Sequence, residues 1–280
     1  MSSQSLFSLI IKVKIDALFY SFLLFPVRHL RYNRFRKKGK FMRLDKLIEE
    51  QLQTSRKEMK RLFLRKKVSV DGKITLNEGH NVDSELHQIE VDGQRLLTNE
   101  VYYLLAKPKG VVTAKRDREH QTVFDLLKAE KKVDQLVPVG RLDRDTEGLL
   151  LMTSNGQLVY DLLHPTKKVV KVYQAVINEH VIQEDVEAFA EGIVFLDGTK
   201  CQPAQLTILA YDEKTNESFV ELAISEGKFH QVKKMFLACG KKVIALKRVA
   251  MGPLRLGNLE IGQYRKLTAE ELQQLKAYFR

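Results

Sequence analysis

A short charged loop is the part of this 280-residue chain best suited to chemistry. It lies in "GRLDRDTEGLLLMTSNG", residues 140–156, just before an apolar run that the pattern predicts as a buried strand. Glycines bracket the loop and indicate tight local geometry. A carboxylate held against a core needs a cationic partner or hydrogen bonds, and loops between strands commonly carry catalytic groups. The alternative is an exposed loop with internal Arg–Asp pairs, which add little stability. The charged residues are Arg141, Asp143, Arg144, Asp145 and Glu147.

The elements around this loop predict an α+β domain over residues 101–280. Segments rich in β-forming residues include "VYYLLA", "KKVVKVYQAVI" and "ESFVELAIS", and "VIALKRVAMGPLRL" reads as a strand with a break. Helical patterns include "TVFDLLKAE", "KFHQVKKMFLACG" and "TAEELQQLKAYF", the last of which opens with a capping box formed by Thr268 and Glu271. Long strands with few short crossovers predict a large mixed, mostly antiparallel sheet flanked by helices.

Residues 42–100 form a smaller basic module by the same criteria. "MRLDKLIEEQLQ" has helical apolar spacing, and "SRKE" at 55–58 is a capping box for a second helix. Alternating residues around Asp71-Gly72 then predict a hairpin. Basic side chains crowd the outer face of the second helix; a solvated face is the ordinary explanation, and an RNA-binding face is the alternative. They include Arg56, Lys57, Lys60, Arg61, Arg65 and Lys66.

Charge is concentrated at the start of the chain. Residues 1–41 carry nine Lys/Arg and one acidic residue, so they supply +8 of the net +12 and leave the rest mildly basic. The uncharged stretch 17–27 is too short to cross a bilayer. We expect a poorly ordered extension, either an amphipathic anchor or sequence upstream of a true start at Met42. The two cysteines lack metal-ligand spacing and indicate free thiols in a reducing, cytoplasmic compartment.

Several motifs, taken in order, resemble the pseudouridine synthases that modify ribosomal RNA. The charged loop matches the family signature Gly-Arg-Leu-Asp, two residues, Thr, one residue, Gly-Leu, and places the family's catalytic aspartate at Asp143. "LAKPKGVVTA" resembles the first motif, and "KVYQAVI" places the base-stacking tyrosine at Tyr173. "EGKFHQVKKMF" resembles the third motif and places the basic partner at Lys233, with Lys228 the weaker candidate. The ending "LLLMTSNG" resembles the RsuA branch.

The basic module resembles the S4 RNA-binding module, so the two resemblances together cover about residues 42–275. They imply an S4-like domain followed by a catalytic domain, with structured RNA as the partner. Glu147 departs from the signature, where Ser or Thr is common, and leaves the fine choice of substrate open. The RNA-binding residues expected beyond the basic helix are Lys107, Lys109, Arg141 and Lys228.

The reaction implied by the resemblance isomerises a uridine within RNA and requires no cofactor or metal. Asp143 acts in its ionised form toward the ribose, steadied by Lys233, and Tyr173 offers a flat face to the base. The uridine must be flipped out of its stack to react. We expect a monomer without stable membrane association, acting on small-subunit 16S ribosomal RNA or an assembly intermediate.

Other functions remain open at this stage. Related enzymes act on 23S ribosomal RNA or transfer RNA, and an S4 module with an inert second domain would be a ribosome assembly protein. An RNA hydrolase using Asp143 and Glu147 would release free uracil. A peripheral membrane protein held by residues 6–27 is a further alternative.

Overall fold

The computed structural model describes residues 42–279. The predictions made for residues 1–41 lie outside the described residues. Two sheets follow one another along the chain, a four-stranded sheet within residues 68–96 and a nine-stranded sheet within residues 102–266. No helix in 42–279 is long and apolar enough to span a membrane.

The small sheet and two helices make up residues 42–96. Its order is β2-β1-β3-β4, all antiparallel, and Asp71 and Gly72 form the β1–β2 turn with φ of +53° and +73°. At the start of α2, the Ser55 hydroxyl accepts the amide of Glu58, as the capping pattern predicts. The elements are α1 (Leu44–Leu52), α2 (Arg56–Leu64), β1 (Val68–Val70), β2 (Lys73–Ile74), β3 (Ile89–Val91) and β4 (Gln94–Leu96).

The large sheet has the order β13-β5-β7-β11-β8-β10-β9, with β6 and β12 paired onto β7 and β11. Only the β7–β11 pair is parallel among the described strands, so the predicted mixed, mostly antiparallel α+β fold is confirmed. The strands are β5 (Tyr102–Lys107), β6 (Val137–Pro138), β7 (Glu147–Thr153), β8 (Lys171–Ile177), β9 (Gln205–Asp212), β10 (Glu217–Ile224), β11 (Val243–Met251), β12 (Leu254–Arg255) and β13 (Tyr264–Lys266).

Helices cover both faces of the large sheet. One face packs α3, α5 and α6 onto Leu150, Tyr173 and Leu246, and we call it the site face. The opposite face packs α4 and α7 onto Leu149 and Leu151. Because alternate residues of β7 enter different cores, its run of leucines is buried on both sides. The helices are α3 (Val123–Leu126), α4 (Gly156–Leu163), α5 (Gln183–Glu191), α6 (Gln231–Ala238) and α7 (Ala269–Lys276).

A buried polar cluster joins the two sheets. Asp83, between β2 and β3, is fully buried and accepts hydrogen bonds from the Tyr102 hydroxyl, the Asn155 amide and the Thr98 hydroxyl. Burial and the charge of Asp83 raise the pKa of Tyr102 well above its usual value, so the phenol keeps its proton. Leu86 is also buried in the core of the large sheet. The small module is therefore held against the large domain by a fully satisfied network as well as by apolar contact.

Two elements are shorter than the sequence pattern indicates. Within "TVFDLLKAE" only α3 is helical, because buried Leu127 turns back and donates its amide to the Phe124 carbonyl. Within "QLVPVG" the strand is limited to β6. Pro138 has no N–H to donate, although the next amide, that of Val139, still donates to the Leu151 carbonyl of β7 (2.8 Å). The capping box of α7 at Thr268 and Glu271 is confirmed.

Candidate active site

The loop that carries Asp143 is pinned from both sides. Leu142 is buried beneath it, and the Thr113 hydroxyl donates to the Leu142 carbonyl (2.8 Å) and accepts its amide (3.2 Å). The Gly110 amide donates to the Arg144 carbonyl (2.8 Å), and the Thr146 amide bonds back to the Asp143 carbonyl (3.1 Å). These bonds fix the backbone on either side of the carboxylate, which is the preorganisation that a catalytic group requires.

Lys233, on α6, reaches across to this loop. Its Nζ lies 3.4 Å from Asp143 Oδ2 and 2.6 Å from Asp145 Oδ1. The Asp143 side chain is 32% exposed, and Asp145 is 67% exposed. Burial alone raises the pKa of Asp145, but the hydrogen bond and charge of Lys233 outweigh it and hold that pKa below its usual value. The structure therefore brings together Asp143 and Lys233, the pair expected from the sequence.

His230 is a third member of the site that the sequence reasoning missed. It precedes α6 in the left-handed region (φ +52°), and its Nε2 lies 3.5 Å from Asp143 Oδ1. Burial lowers the pKa of His230, and the charge of Lys233 lowers it further. The charge of Asp143 raises it, but the pKa remains below its usual value. The lowered pKa favours the neutral imidazole near pH 7, in contact with the carboxylate. The helix predicted over residues 228–240 includes His230, and its place three residues before Lys233 was the available signal.

Gly148 allows the loop to meet the sheet closely. It has φ of +104°, and a Cβ placed there would lie 2.2 Å from the Arg248 carbonyl oxygen. Gly148 and Arg248 are register partners in the parallel β7–β11 pair. The absence of a side chain lets β7 leave the loop directly alongside β11.

A row of register partners crosses the site face at this level. Lys107 of β5 pairs with Gly148, Gly148 with Arg248, and Arg248 with Tyr173 of β8. Paired residues on neighbouring strands project to the same face, so the phenol, the guanidinium and the buried amine share the face that the loop covers. At about 4.8 Å per strand, Tyr173 lies about 10 Å from Gly148 along the sheet. The register therefore brings the predicted tyrosine to the face of the Asp143 loop.

Arg248 is the second residue of the site that the sequence reasoning missed. It is 2% exposed, and its Nε donates to the Leu149 carbonyl (2.8 Å). Its Nη2 is buried with no hydrogen-bond partner among the described residues. Burial, and then the charge of Arg248, lower the pKa of neighbouring Lys171 to about 8. Arg248 follows Leu246 by two positions in a predicted strand, so the sequence places it on the same apolar face. A charge on such a face requires compensation, and this was the signal that could have identified it.

Lys107 was expected to bind RNA, and this prediction is wrong. The side chain has no exposed surface, because its Nζ donates to the carbonyls of Val111 (2.7 Å) and Pro108 (2.9 Å) and approaches that of Arg144 (3.4 Å). Burial lowers the pKa of Lys107 to about 8, against the raising influence of the carboxylates of Asp145 and Asp143. Lys107 supports the Asp143 loop from beneath through these backbone carbonyls.

The other side chains predicted to contact RNA differ in their exposure to solvent and in whether they already form an ion pair. Lys228 forms an ion pair with Glu226 and is 31% exposed, so it is neither the partner of Asp143 nor a free cation. Lys109 and Arg141 are exposed beside the site. The six basic residues predicted on and just after α2 are all exposed. Arg56, Lys57, Lys60 and Arg61 lie on the helix, and Arg65 and Lys66 directly follow its end.

The two cysteines are free thiols, and the described residues contain no cluster suited to hold a metal ion. Cys201 is buried and Cys239 half-buried, both as free thiols, and burial raises the pKa of each. Within residues 42–279 no group of three or more His, Cys, Asp or Glu side chains is placed to hold a metal ion.

Replacing Lys107 by Met should change how stability depends on pH. The amine has a pKa of about 8 in the folded chain against 10.5 when exposed. Between these values the folded chain binds fewer protons than the unfolded chain, so the free energy of unfolding rises with pH across that window. We expect Lys107→Met to flatten this rise in urea unfolding measured from pH 7 to 10.5. Lys109→Met, which removes an exposed lysine, should leave the slope as in the wild type; a slope unchanged in both variants would contradict the assignment.

The fold and the site together define an RNA-modifying enzyme of the pseudouridine synthase class. The family model described as RNA pseudouridylate synthase matches residues 101–238. A Bacillus subtilis protein named uncharacterized RNA pseudouridine synthase YtzG is 41% identical over 239 residues, covering 84% of this chain and 98% of that protein. The ribosomal small subunit pseudouridine synthase A of Escherichia coli is 37% identical, covering 82% and 98%.

A second B. subtilis relative and a solved structure extend the comparison. The ribosomal large subunit pseudouridine synthase B of B. subtilis is 37% identical, covering 84% of this chain and 96% of its own length. A crystal structure of a pseudouridylate synthase superposes with a TM-score of 0.58 at 32% identity, covering 84% of this chain and 99% of that one. The chain belongs to the RNA pseudouridine synthase family, and within it to the RsuA type.

Proposed function

We propose that this enzyme converts one specific uridine of small-subunit 16S ribosomal RNA to pseudouridine. The observation that carries the reaction is the contact of Lys233 with Asp143 on the pinned loop. The RsuA-type ending "LLLMTSNG" and the similarity to the small-subunit enzyme of E. coli favour the 16S target. A 23S target is the second candidate, because the large-subunit enzyme of B. subtilis is equally similar. We further expect a cytoplasmic monomer.

Asp143 carries the central step in this proposal. Lys233 contacts one oxygen of the Asp143 carboxylate at 3.4 Å and orients it, while the other oxygen lies 3.5 Å from His230 Nε2. The carboxylate acts on the ribose as nucleophile or base while the N1–C1′ bond breaks. C5 of the turned uracil then bonds to C1′ and releases its proton to solvent, while N1 takes up a proton, so the composition of the nucleoside is the same before and after. No atom is gained or lost. Tyr173 supports the base from the floor of the site, at the position set by the β8–β11 register.

The basic face of α2 supplies much of the affinity for RNA in this proposal. A row of exposed Lys and Arg on one short helix suits the phosphates of A-form RNA, which is recognised by shape more than by base edges. Lys109 and Arg141 extend the positive surface to the catalytic loop. Contacts of this kind also offset the cost of flipping the uridine.

Removing two of these charges should weaken RNA binding and its salt dependence together. We expect the Lys60→Gln/Arg61→Gln double variant to reduce the slope of log K against log salt by about 1–2, since each lost phosphate contact lowers it by about 1. Filter binding to 16S ribosomal RNA between about 50 and 300 mM salt measures the slope. Lys67→Gln is the matched control, because Lys67 is already paired with Asp92 at 3.0 Å. Equal slopes for both variants would show that α2 is a solvated face.

Mapping of pseudouridine in cells tests the target. Ribosomal RNA from a strain lacking the gene should lose one pseudouridine, and the wild-type gene should restore it while the Asp143→Asn gene should not. Loss from 16S RNA supports the first candidate, and loss from 23S RNA supports the second. Complete maps of both RNAs without any loss would refute ribosomal RNA as the substrate.

A further inference from the structure

An exposed aromatic ring lies at the edge of the active site. Phe229 is 65% exposed, and it immediately precedes His230 in the turn before α6. Neither the isomerisation chemistry nor the core packing uses this side chain. Most of the other phenylalanines described, including Phe189 and Phe236, are buried in the core.

The ring of Phe229 stacks on His230, which in turn contacts the carboxylate of Asp143. Its centroid lies 3.8 Å from that of His230, with the ring planes 22° apart. His230 Nε2 is in turn 3.5 Å from Asp143 Oδ1. One face of the phenyl ring is therefore covered by the imidazole, and its exposure leaves the outer side open to solvent.

A cation accompanies this ring. Lys234 Nζ lies 5.9 Å from the Phe229 centroid and 5.2 Å from that of Phe195, and 3.5 Å from Asp197 Oδ2. The ammonium lies over the Phe229 ring at the outer limit of a cation–π contact, so the contact is weak and a stacking base can displace this long side chain. A flat apolar face with an ammonium within reach matches a nucleotide, whose base is flat and whose phosphate is anionic.

We propose that the outer face of Phe229 is a nucleobase subsite, which stacks the base of an unpaired nucleotide next to the flipped uridine. The inference rests on the proposed function, because it assumes an RNA strand across Asp143. Flipping one nucleotide removes a stacking partner from its neighbour, and an aromatic ring beside the site replaces that partner. Stacking of this kind tolerates any base, so Phe229 contributes affinity and placement and leaves the choice of sequence to other contacts.

Steady-state kinetics with matched variants test the subsite. The substrate is 16S and 23S ribosomal RNA from a strain lacking the gene, labelled with tritium at uridine C5, and the readout is tritium release. We expect Phe229→Leu to raise KM about tenfold with kcat within about twofold, since one stacked base contributes about that factor. Phe229→Trp should keep KM at or below the wild-type value. Phe219→Leu, an exposed phenylalanine 40% accessible on the other face of β10, should match the wild type.

The outcomes separate the subsite from the reaction. An active wild type with an unchanged KM in Phe229→Leu overturns the subsite alone. Equal losses in the Leu and Trp variants also overturn it, because they would show dependence on the exact shape and not on ring stacking. A wild type that releases no tritium from either RNA refutes the proposed function and the subsite together.

Discussion

Asp143→Asn should abolish pseudouridine formation, with kcat reduced at least about a thousandfold, a factor within the range that a positioned base or nucleophile contributes. The amide keeps the shape of the side chain but cannot carry the charge that Lys233 stabilises at 3.4 Å. Because the side chain is 32% exposed, its replacement should leave the unfolding midpoint close to that of the wild type. Tritium release from RNA labelled at uridine C5 measures the loss.

Asp145→Asn is the informative comparison for this prediction. Asp145 contacts the same amine at 2.6 Å but is 67% exposed, and only the family signature, not composition, chooses Asp143 over Asp145. We expect Asp145→Asn to lower kcat by less than about tenfold through altered placement of Lys233. The reverse order of effects would show that the catalytic carboxylate is Asp145.

Gly148→Ala should be the most destabilising single methyl addition near the site. Its Cβ would lie 2.2 Å from the Arg248 carbonyl oxygen and 2.9 Å from the Arg248 nitrogen, at a φ of +104° that side chains rarely adopt. Backbone strain and forced separation of β7 from β11 together cost about 2–5 kcal/mol. Urea unfolding should show the loss, and kcat should fall as well, because the Asp143 loop and Tyr173 are placed by the strands that separate.

Gly257→Ala is the matched control for that substitution. Gly257 also has a positive φ (+58°), but nothing lies within 4 Å of the position that an added methyl group would occupy. We expect a cost of about 1–2 kcal/mol from the left-handed conformation alone. If the two alanine variants were equally stable, close approach of β11 would not be the reason for glycine at 148.

Local patterns in the sequence were sufficient for the fold class, whereas the central pair of the site came from the family resemblance. Turn residues such as Asp71-Gly72 and the capping box at Thr268 act within a few residues, so they form as the pattern predicts. Asp143 and Lys233 were paired through the family resemblance, and 90 positions separate them along the chain. Spacing alone offered no route to that contact.

Contacts set by sheet register were not predictable in this way. The parallel pairing of β7 with β11 aligns Gly148 with Arg248, and no local pattern fixes which strands become neighbours. The burial of Lys107 follows from the same register, because its place opposite Gly148 turns the amine under the loop. A lysine next to "PKG" has the composition of a surface contact, and only the tertiary structure shows that its amine binds backbone carbonyls.

The buried cluster of Asp83, Tyr102 and Asn155 has a consequence for how a substrate is chosen. It joins the module that carries α2 to the domain that carries the Asp143 loop. The distance between the basic helix and the loop is therefore fixed. In the proposed function, an RNA docked on α2 would present only the uridine that lies at this distance from the helix. Selectivity for a single position in a long transcript would then depend on that distance, without base-by-base reading.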